Sequence, residues 1–233
     1  MNLVETISKR KSTRKYDPSP LATNVLADIQ TFIKGVKPLY DDVKLRFDIL
    51  PAEKVKGATN APHFLIAYSE EKDGGRTNIG FMLQQVDLYI QSIGLGSCWL
   101  GMAKPLETGK DALVHVISLA FGKPEGSPHR ELSGFNRKPL EKVSDTVDKR
   151  LEPARLAPST VNSQPWYFVT TNEGFDCYCA KKFPAALYER LNKIDVGIAL
   201  AHLYVTNQDK FSFSVQDKPK QVKGHYYVGS VEI

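Results

Sequence analysis

Ala157-Pro158-Ser159-Thr160-Val161-Asn162-Ser163-Gln164-Pro165-Trp166 joins a stretch of helical character near residues 145–157 to an aromatic run, Trp166-Tyr167-Phe168-Val169. Its two prolines stiffen the backbone, and its hydroxyls and side-chain amides offer both donors and acceptors. Such a loop suits the polar edge of a planar heterocycle. It also reads as an ordinary connection from helix to strand. Downstream, strands are predicted near 166–171 and 175–180. Val196, Leu200 and Leu203 then begin the stripe of a long helix, and strands near 211–215 and 225–231 follow.

Upstream, the same alternation occurs once more. Residues 3–9 read as a short helix, and Ser19-Pro20 as an N-cap with proline at the first helical position. Leu21, Val25, Ile29, Phe32 and Ile33 follow at helical spacing up to Gly35. Val43, Leu45, Phe47 and Ile49 alternate with polar residues as a half-buried strand does, and residues 63–69 form a second, more apolar one. Ile79, Leu83, Val86, Ile90 and Ile93 mark a long helix with one apolar stripe, ended by Gly94. Residues 112–121, apolar on both faces, suggest a central strand.

The halves echo each other. Asn60-Ala61-Pro62-His63-Phe64 leads through a strand to a helix holding Asn78-Ile79-Gly80 and Leu83, and Ser163-Gln164-Pro165-Trp166 to one holding Asp195-Val196-Gly197 and Leu200. Chance accounts for this as readily as duplication does. As a repeat, the chain is a fused pair, with residues 1–125 and 126–233 as its halves and the Gly/Pro-rich stretch 122–134 as the linker.

Composition bounds what such a chain does. Of its 233 residues, 42% are hydrophobic and 24% charged, as in a globular protein with a sizeable core. No run approaches the roughly 18 apolar residues of a spanning helix, so no membrane role is expected. The N-terminus lacks the apolar core of a signal peptide, and a cytoplasmic setting is the expectation. Three cysteines, Cys98, Cys177 and Cys179, are too few and too odd in number for a disulfide framework, and the five histidines show no metal-ligand spacing. The net charge of +5 fits one anionic ligand better than a nucleic acid, which needs a dense basic face. No paired carboxylates, G-x-S-x-G, H-E-x-x-H or Walker loop stands out, so hydrolase and triphosphatase chemistry has little residue support.

Three further segments offer chemistry. Arg10-Lys11-Ser12-Thr13-Arg14 combines guanidinium forks with hydroxyls, which suits a phosphate dianion, although short basic runs are often solvated turns. Gly94-Leu95-Gly96-Ser97-Cys98-Trp99-Leu100-Gly101 follows a helix instead of opening one. It is therefore no dinucleotide fingerprint, but its glycines admit close approach of a ligand. Phe135-Asn136-Arg137-Lys138-Pro139 is a second small basic element that alone reads as a surface turn.

Taken together and in this order, these segments resemble the nitroreductase family of FMN-dependent oxidoreductases. The resemblance is carried by Arg10–Arg14 with Tyr16, by Gly94–Gly101, by the stretch from Phe121 to Pro139, and most specifically by Ala157–Trp166. One departure stands out. The N-x-Q-P-W loop usually lies a few tens of residues after the basic segment, whereas here Arg14 and Asn162 are 148 positions apart (162 − 14). Each half keeps the complementary portion of one site.

The resemblance implies an α+β, nitroreductase-like fold of two similar halves, with mostly antiparallel sheets packed by helices, fused as a single-chain pseudo-dimer. That pseudo-dimer would be monomeric, although a homodimer is also open. The site implied is one FMN site. Arg10, Ser12 and Arg14 would contact the phosphate and ribityl chain with Lys11 adjacent, and Arg137 would be a second phosphate arginine. Pro158, Ser159 and Thr160 would border the isoalloxazine ring, while Asn162 and Gln164 would chiefly hold the loop in shape. Leu100-Gly101 aligns with the segment whose backbone N–H faces flavin N5, and the family often has an acidic residue where Leu100 stands. The implied activity passes electrons from NAD(P)H to a nitro compound, quinone or similar small acceptor, the flavin carrying the chemistry and no residue acting as nucleophile or metal ligand. A flavin-binding protein without turnover is the alternative.

Overall fold

A computed structural model describes residues 2–107, 109, 111–181 and 185–233, with the side chains of 185–187 outside the description. The chain separates into two compact units, one of Met1–Gly75 and Met82–Gly134, the other of Arg76–Phe81 and Phe135–Ile233.

The first unit begins with helix α1 (Leu3–Ile7), whose first turn is closed by the Asn2 side chain accepting from the Glu5 backbone N–H at 3.2 Å. Helix α2 (Thr23–Gly35) starts later than the Ser19-Pro20 signal predicts. Residues 17–22 are held off helix by two bonds: Ser19 N–H donates to Asp17 Oδ1 at 2.9 Å, and Leu21 N–H to His63 Nε2 at 2.9 Å. Tertiary partners take the donors that a helix would have needed.

Strands β1 (Leu45–Pro51), β3 (His63–Ser69), β4 (Gly96–Leu100) and β6 (Val114–Gly122) form an antiparallel sheet of order β1-β3-β6-β4. Every residue of β3 is buried, as its unbroken apolar run requires. Phe64, Ile66, Tyr68 and Ala120 pack with Tyr16, Val55, Ala61 and Ala103 on one face, under a ribbon of β2 (Val55–Lys56) and β5 (Lys104–Pro105). Leu65 and Leu119, paired on the alternate face, are buried as well. Strand β4 lies in the segment whose glycines the sequence presents as admitting close approach of a ligand.

Helix α3 (Gly75–Ser92) departs from its single-stripe reading, because residues 77–91 are buried on every side. The residues opposite the stripe are not a solvated face. Thr77, Gln84, Gln85, Asp87 and Gln91 are all buried, and Asp87 and Gln91 hold other parts of the first unit, as described below. Nor is the 122–134 stretch a free linker. Asp17 N–H donates to Lys123 O, Glu125 N–H to Lys15 O and Arg130 N–H to Lys9 O, so it lies paired against residues 9–17.

In the second unit, the helix predicted at 145–157 shrinks to a 3-10 turn, Lys149–Leu151, running into the short helix α4 (Glu152–Arg155). Strands β7 (Trp166–Thr170), β8 (Gly174–Ala180), β9 (Ser212–Ser214) and β10 (His225–Glu232) give a second antiparallel sheet, of order β7-β8-β10-β9. Helix α5 (Ala185–Thr206) joins β8 to β9 as α3 joins β3 to β4. Leaving out the small β2–β5 ribbon, both sheets have their strands in the spatial order first, second, fourth, third, with the long helix after the second. The echo in the sequence is thus an echo in topology.

The helix crossing inside the second unit is reciprocal. A Cβ on Gly80 would run into the Ile194 carbonyl oxygen, and one on Gly197 into that of Thr77, so the backbones approach only because both positions lack a side chain. Each pairing partner is displaced by the same 117 residues (194 − 77 and 197 − 80). The two contacts thus repeat one another at equivalent positions of the two long helices.

Candidate functional site

The basic turn in the first unit is built like an extra strand. Arg10 bridges to His129, Ser12 to Ser97 and Tyr16 to Pro124, and Thr13 N–H donates to Ser97 O at 2.8 Å. Arg10 is 1% exposed, and its Nε donates to Oδ2 of Asp87, a residue fully buried on α3. The other carboxylate oxygen accepts from Ser97 Oγ and from Gln91 Nε2, the latter at 3.2 Å, while Gln91 Oε1 accepts from the Lys11 backbone N–H at 2.9 Å. Thus the carboxylate and amide of one helix hold the turn at residues 10 and 11. Lys11 Nζ donates to Ser127 O at 2.8 Å, and Arg14 is exposed.

The strand beside this turn carries Cys98. Burial pushes its thiol up, while Arg14, Arg10 and the Ser12 hydroxyl oppose that shift. Leu100 ends β4 half-buried and packed on the Phe64–Tyr68 cluster, and Gly101 follows it exposed. Two buried polar atoms of the turn, Arg10 Nη2 and Thr13 Oγ1, have no hydrogen-bond partner among the described residues. Leaving a buried donor unpaired costs about 1–3 kcal/mol, and an anionic ligand oxygen would recover that. This donor set fits a phosphate group.

In the second unit, the Pro158–Gln164 loop is strained. Val161, Asn162 and Gln164 have φ of 47°, 55° and 48°, left-handed backbone that β-branched valine in particular avoids. Strain persists only where surroundings over-determine it, and it clusters at ligand sites. Here Asp195, 1% exposed on α5, accepts from Thr160 N–H at 3.0 and 3.1 Å and from Thr160 Oγ1 at 3.2 Å. Ser159 Oγ accepts from Gln164 N–H at 2.9 Å. Segment 136–138 clamps the other side. Lys138 N–H donates to Gln164 Oε1 at 2.7 Å, Asn162 Nδ2 to Asn136 O at 2.7 Å, and Lys138 Nζ to Ser163 O at 2.8 Å.

Arg137 belongs to that clamp. Its Nη1 donates to Asn162 Oδ1 at 2.7 Å and to Asn136 O, and its Nε and Nη2 both donate to Leu156 O. The phosphate arginine of the resemblance is, inside its own unit, a brace for the loop. Asn162 and Gln164 are engaged likewise, while Pro158, Ser159 and Thr160 are half-buried along the loop's start.

Residues 2–207 match the family described as "Putative TM nitroreductase". The chain belongs to that family. Its membership places it among the oxidoreductases. Of solved structures, one from Thermotoga maritima described as a "putative nitroreductase" is 21% identical, with a TM-score of 0.67 over 98% of this chain and 94% of that one. A nitroreductase family protein from Clostridium difficile is 18% identical, with a TM-score of 0.51 over 64% of this chain and 99% of that one. These likenesses show the nitroreductase-like fold. No curated protein matches the chain.

The sequence reading passed over two residues, Asp87 and Asp195, as functional positions. Asp87 did leave a signal: α3 carries only two charged residues, Arg76 in its first turn and Asp87, and a lone carboxylate so far along a largely uncharged helix calls for a buried partner. Asp195 was visible only as a marker of the repeat. Among the described residues, no cluster of histidine, cysteine and acidic side chains could hold a metal, and no helix is long and apolar enough to cross a membrane.

Proposed function

We propose that this nitroreductase-family chain binds one FMN and passes electrons from NAD(P)H to a nitro compound, quinone or similar small acceptor, working in the cytoplasm as a monomeric pseudo-dimer. The observation that carries the reading is the family match across residues 2–207. The local build of the two segments supports it. One is a basic turn with an unpaired buried donor, the other a strained polar loop that its own unit holds rigid. When bound, FMN supplies the electron-transfer chemistry.

The residues of the chain bind and orient it. In this reading Ser12, Arg14 and the Nη2 of Arg10 take the phosphate and ribityl chain, with Lys11 beside them. Pro158, Ser159 and Thr160 wall the ring, and Leu100-Gly101 presents backbone near its reactive edge. Asn162, Gln164 and Arg137 keep the loop in its strained form, so that little conformational entropy is lost on binding. Leu100, being apolar, adds no charge where NAD(P)H or the acceptor would dock.

The test is a visible absorbance spectrum of the purified protein with mass spectrometry of the released ligand, followed by steady-state oxidation of NADH and NADPH with a nitroaromatic or a quinone. A flavin spectrum, FMN at about one per chain and turnover with either nicotinamide are expected. Bound flavin that neither nicotinamide reduces would leave a flavin carrier, and protein that neither contains nor takes up FMN would end the reading.

A further inference from the structure

We propose that Asp87 is the positioning residue of the phosphate-binding turn and acts on FMN through Arg10. This inference rests on the FMN reading above and concerns a residue that touches no ligand itself. The Asp87 carboxylate is partnered at both of its oxygens: Arg10 Nε donates to one, Ser97 Oγ and Gln91 Nε2 to the other. The guanidinium is not, since its Nη2 is buried with no acceptor. In an ion pair that serves only the core, both partners are satisfied within the protein. A pair whose anion has a partner at each oxygen and whose cation keeps a buried donor open is built to finish its coordination with an incoming oxygen.

The surroundings fix that geometry. Arg130 Nε donates to the Arg10 carbonyl oxygen at 2.9 Å, Gln91 holds Lys11 N–H at 2.9 Å, and Ser97 O holds Thr13 N–H at 2.8 Å. These bonds tie the backbone of residues 10, 11 and 13 while Asp87 holds the Arg10 side chain. Charge divides the labour further. Arg10 at 1% exposure is neutralised by Asp87 at 0%, so its contribution to an anion is a short, directed hydrogen bond. Arg14, exposed, contributes a charge felt at longer range. Salt screens the second and leaves the first nearly untouched.

The experiment titrates FMN into wild type, Asp87→Asn, Arg10→Gln, the double variant and Arg14→Gln, at low and high salt and at a temperature where each is folded by circular dichroism. Asp87→Asn and Arg10→Gln are expected to weaken FMN about ten- to hundredfold, the range for a charged hydrogen bond. The double variant should bind no more than about threefold worse than Arg10→Gln, because both changes remove one interaction. The Asp87→Asn loss should persist at high salt while the Arg14→Gln loss shrinks.

A wild-type affinity in Asp87→Asn, or losses that multiply in the double variant, would overturn the proposal. So would an equal loss in Phe175→Leu, a core change in the second sheet that lowers stability without touching the turn. If Asp87→Asn does not fold, the neutral pair of the double variant against Arg10→Gln decides alone, and a further tenfold loss there refutes a role through Arg10. Absence of FMN binding in wild type would instead sink the functional reading itself.

Discussion

The basic turn at 10–14 and the polar loop at 158–164 reach ordered conformations by opposite means. The turn is regular: its backbone pairs like a strand, with bridges at Arg10 and Ser12, and a buried ion pair fixes the side chain that matters. The loop is irregular. Three of its residues take left-handed backbone, and side chains from 136–138 and from Asp195 supply the bonds that no sheet provides. Both rely on one buried carboxylate of the long helix of their own repeat. A regular segment spends little stability on its shape and leaves a donor open, whereas an irregular one needs every side-chain partner to stay in place. The loop should therefore be the more fragile of the two.

The largest break in that comparison is expected at the helix crossing. Gly197→Ala drives a methyl into the Thr77 carbonyl, a backbone atom that cannot swing away. Two residues earlier on the same helix is Asp195, so the loop loses its anchor as α5 is displaced. A loss of about 4 kcal/mol or more, or failure to fold, is expected in thermal melts. In whatever folds, limited proteolysis should cut 158–164 before 9–17. Equal protection of the two segments would contradict a loop anchored through α5.

Next in size is Asp195→Asn. The amide keeps one acceptor for Thr160 but turns an N–H toward the remaining donors, in a site 1% exposed. About 2–3 kcal/mol should be lost by chemical denaturation, with hydrogen exchange speeding at Thr160 and Gln164 and unchanged at Thr13. Wild-type exchange at Thr160 would show that segment 136–138 alone holds the loop.

How much of this the sequence disclosed follows from which forces are local. The residues of β3, β7 and β8 announced themselves because short apolar runs record burial directly, whereas the antiparallel α+β architecture was implied only by the family resemblance. The late start of α2 was hidden, since the His63 acceptor that holds Leu21 N–H is 42 residues away. The burial of the polar side of α3 was hidden for the same reason: Arg10 is what makes Asp87 tolerable inside, and the pair is 77 positions apart. Glycines at 94 and 96 suggested close approach of a ligand and gave no sign of the edge strand that pairing with β6 makes there. Residue types marked both segments, but strain at 161–164 cannot be read from valine and glutamine, and only Asn162 is of a type that often takes positive φ.

Acid should separate the two regions again, more gently. His63, 6% exposed, accepts from Leu21 N–H through Nε2 and must be neutral to do so; burial depresses its pKa, Glu53 only partly opposing. Above the unfolded value of about 6.5 the ring is neutral in both states and stability is flat. Below it the unfolded chain takes up the proton first, so stability falls with pH, by at most about 1.4 kcal/mol per unit. His115, lowered by burial and by Lys104, acts in the same direction. His63→Gln keeps an acceptor that does not titrate, and should flatten denaturation midpoints between pH 7 and 5. An unchanged slope would assign the acid sensitivity elsewhere. The 158–164 loop, with no histidine in it, should exchange at a pH-corrected rate that His63→Gln leaves alone.

The smallest effect is the most direct probe of strain. Val161 is 86% exposed at φ 47°, so its side chain contributes almost no burial to offset a backbone costing about 1–2 kcal/mol for a residue with a Cβ. Val161→Gly removes that cost but adds freedom to the unfolded chain, worth up to about 1 kcal/mol in the other direction. The balance is a gain between about 0 and 2 kcal/mol, a melting-point rise of a few degrees at this chain length. If the loop is pre-organised for FMN, the more stable variant should bind the flavin no better, and slightly worse, because glycine reopens conformations that valine's neighbours had closed. Tighter binding together with higher stability would mean that the strain at 161 opposes the ligand instead of preparing for it, and the contrast between a regular turn and a loop strained for function would lose its second half.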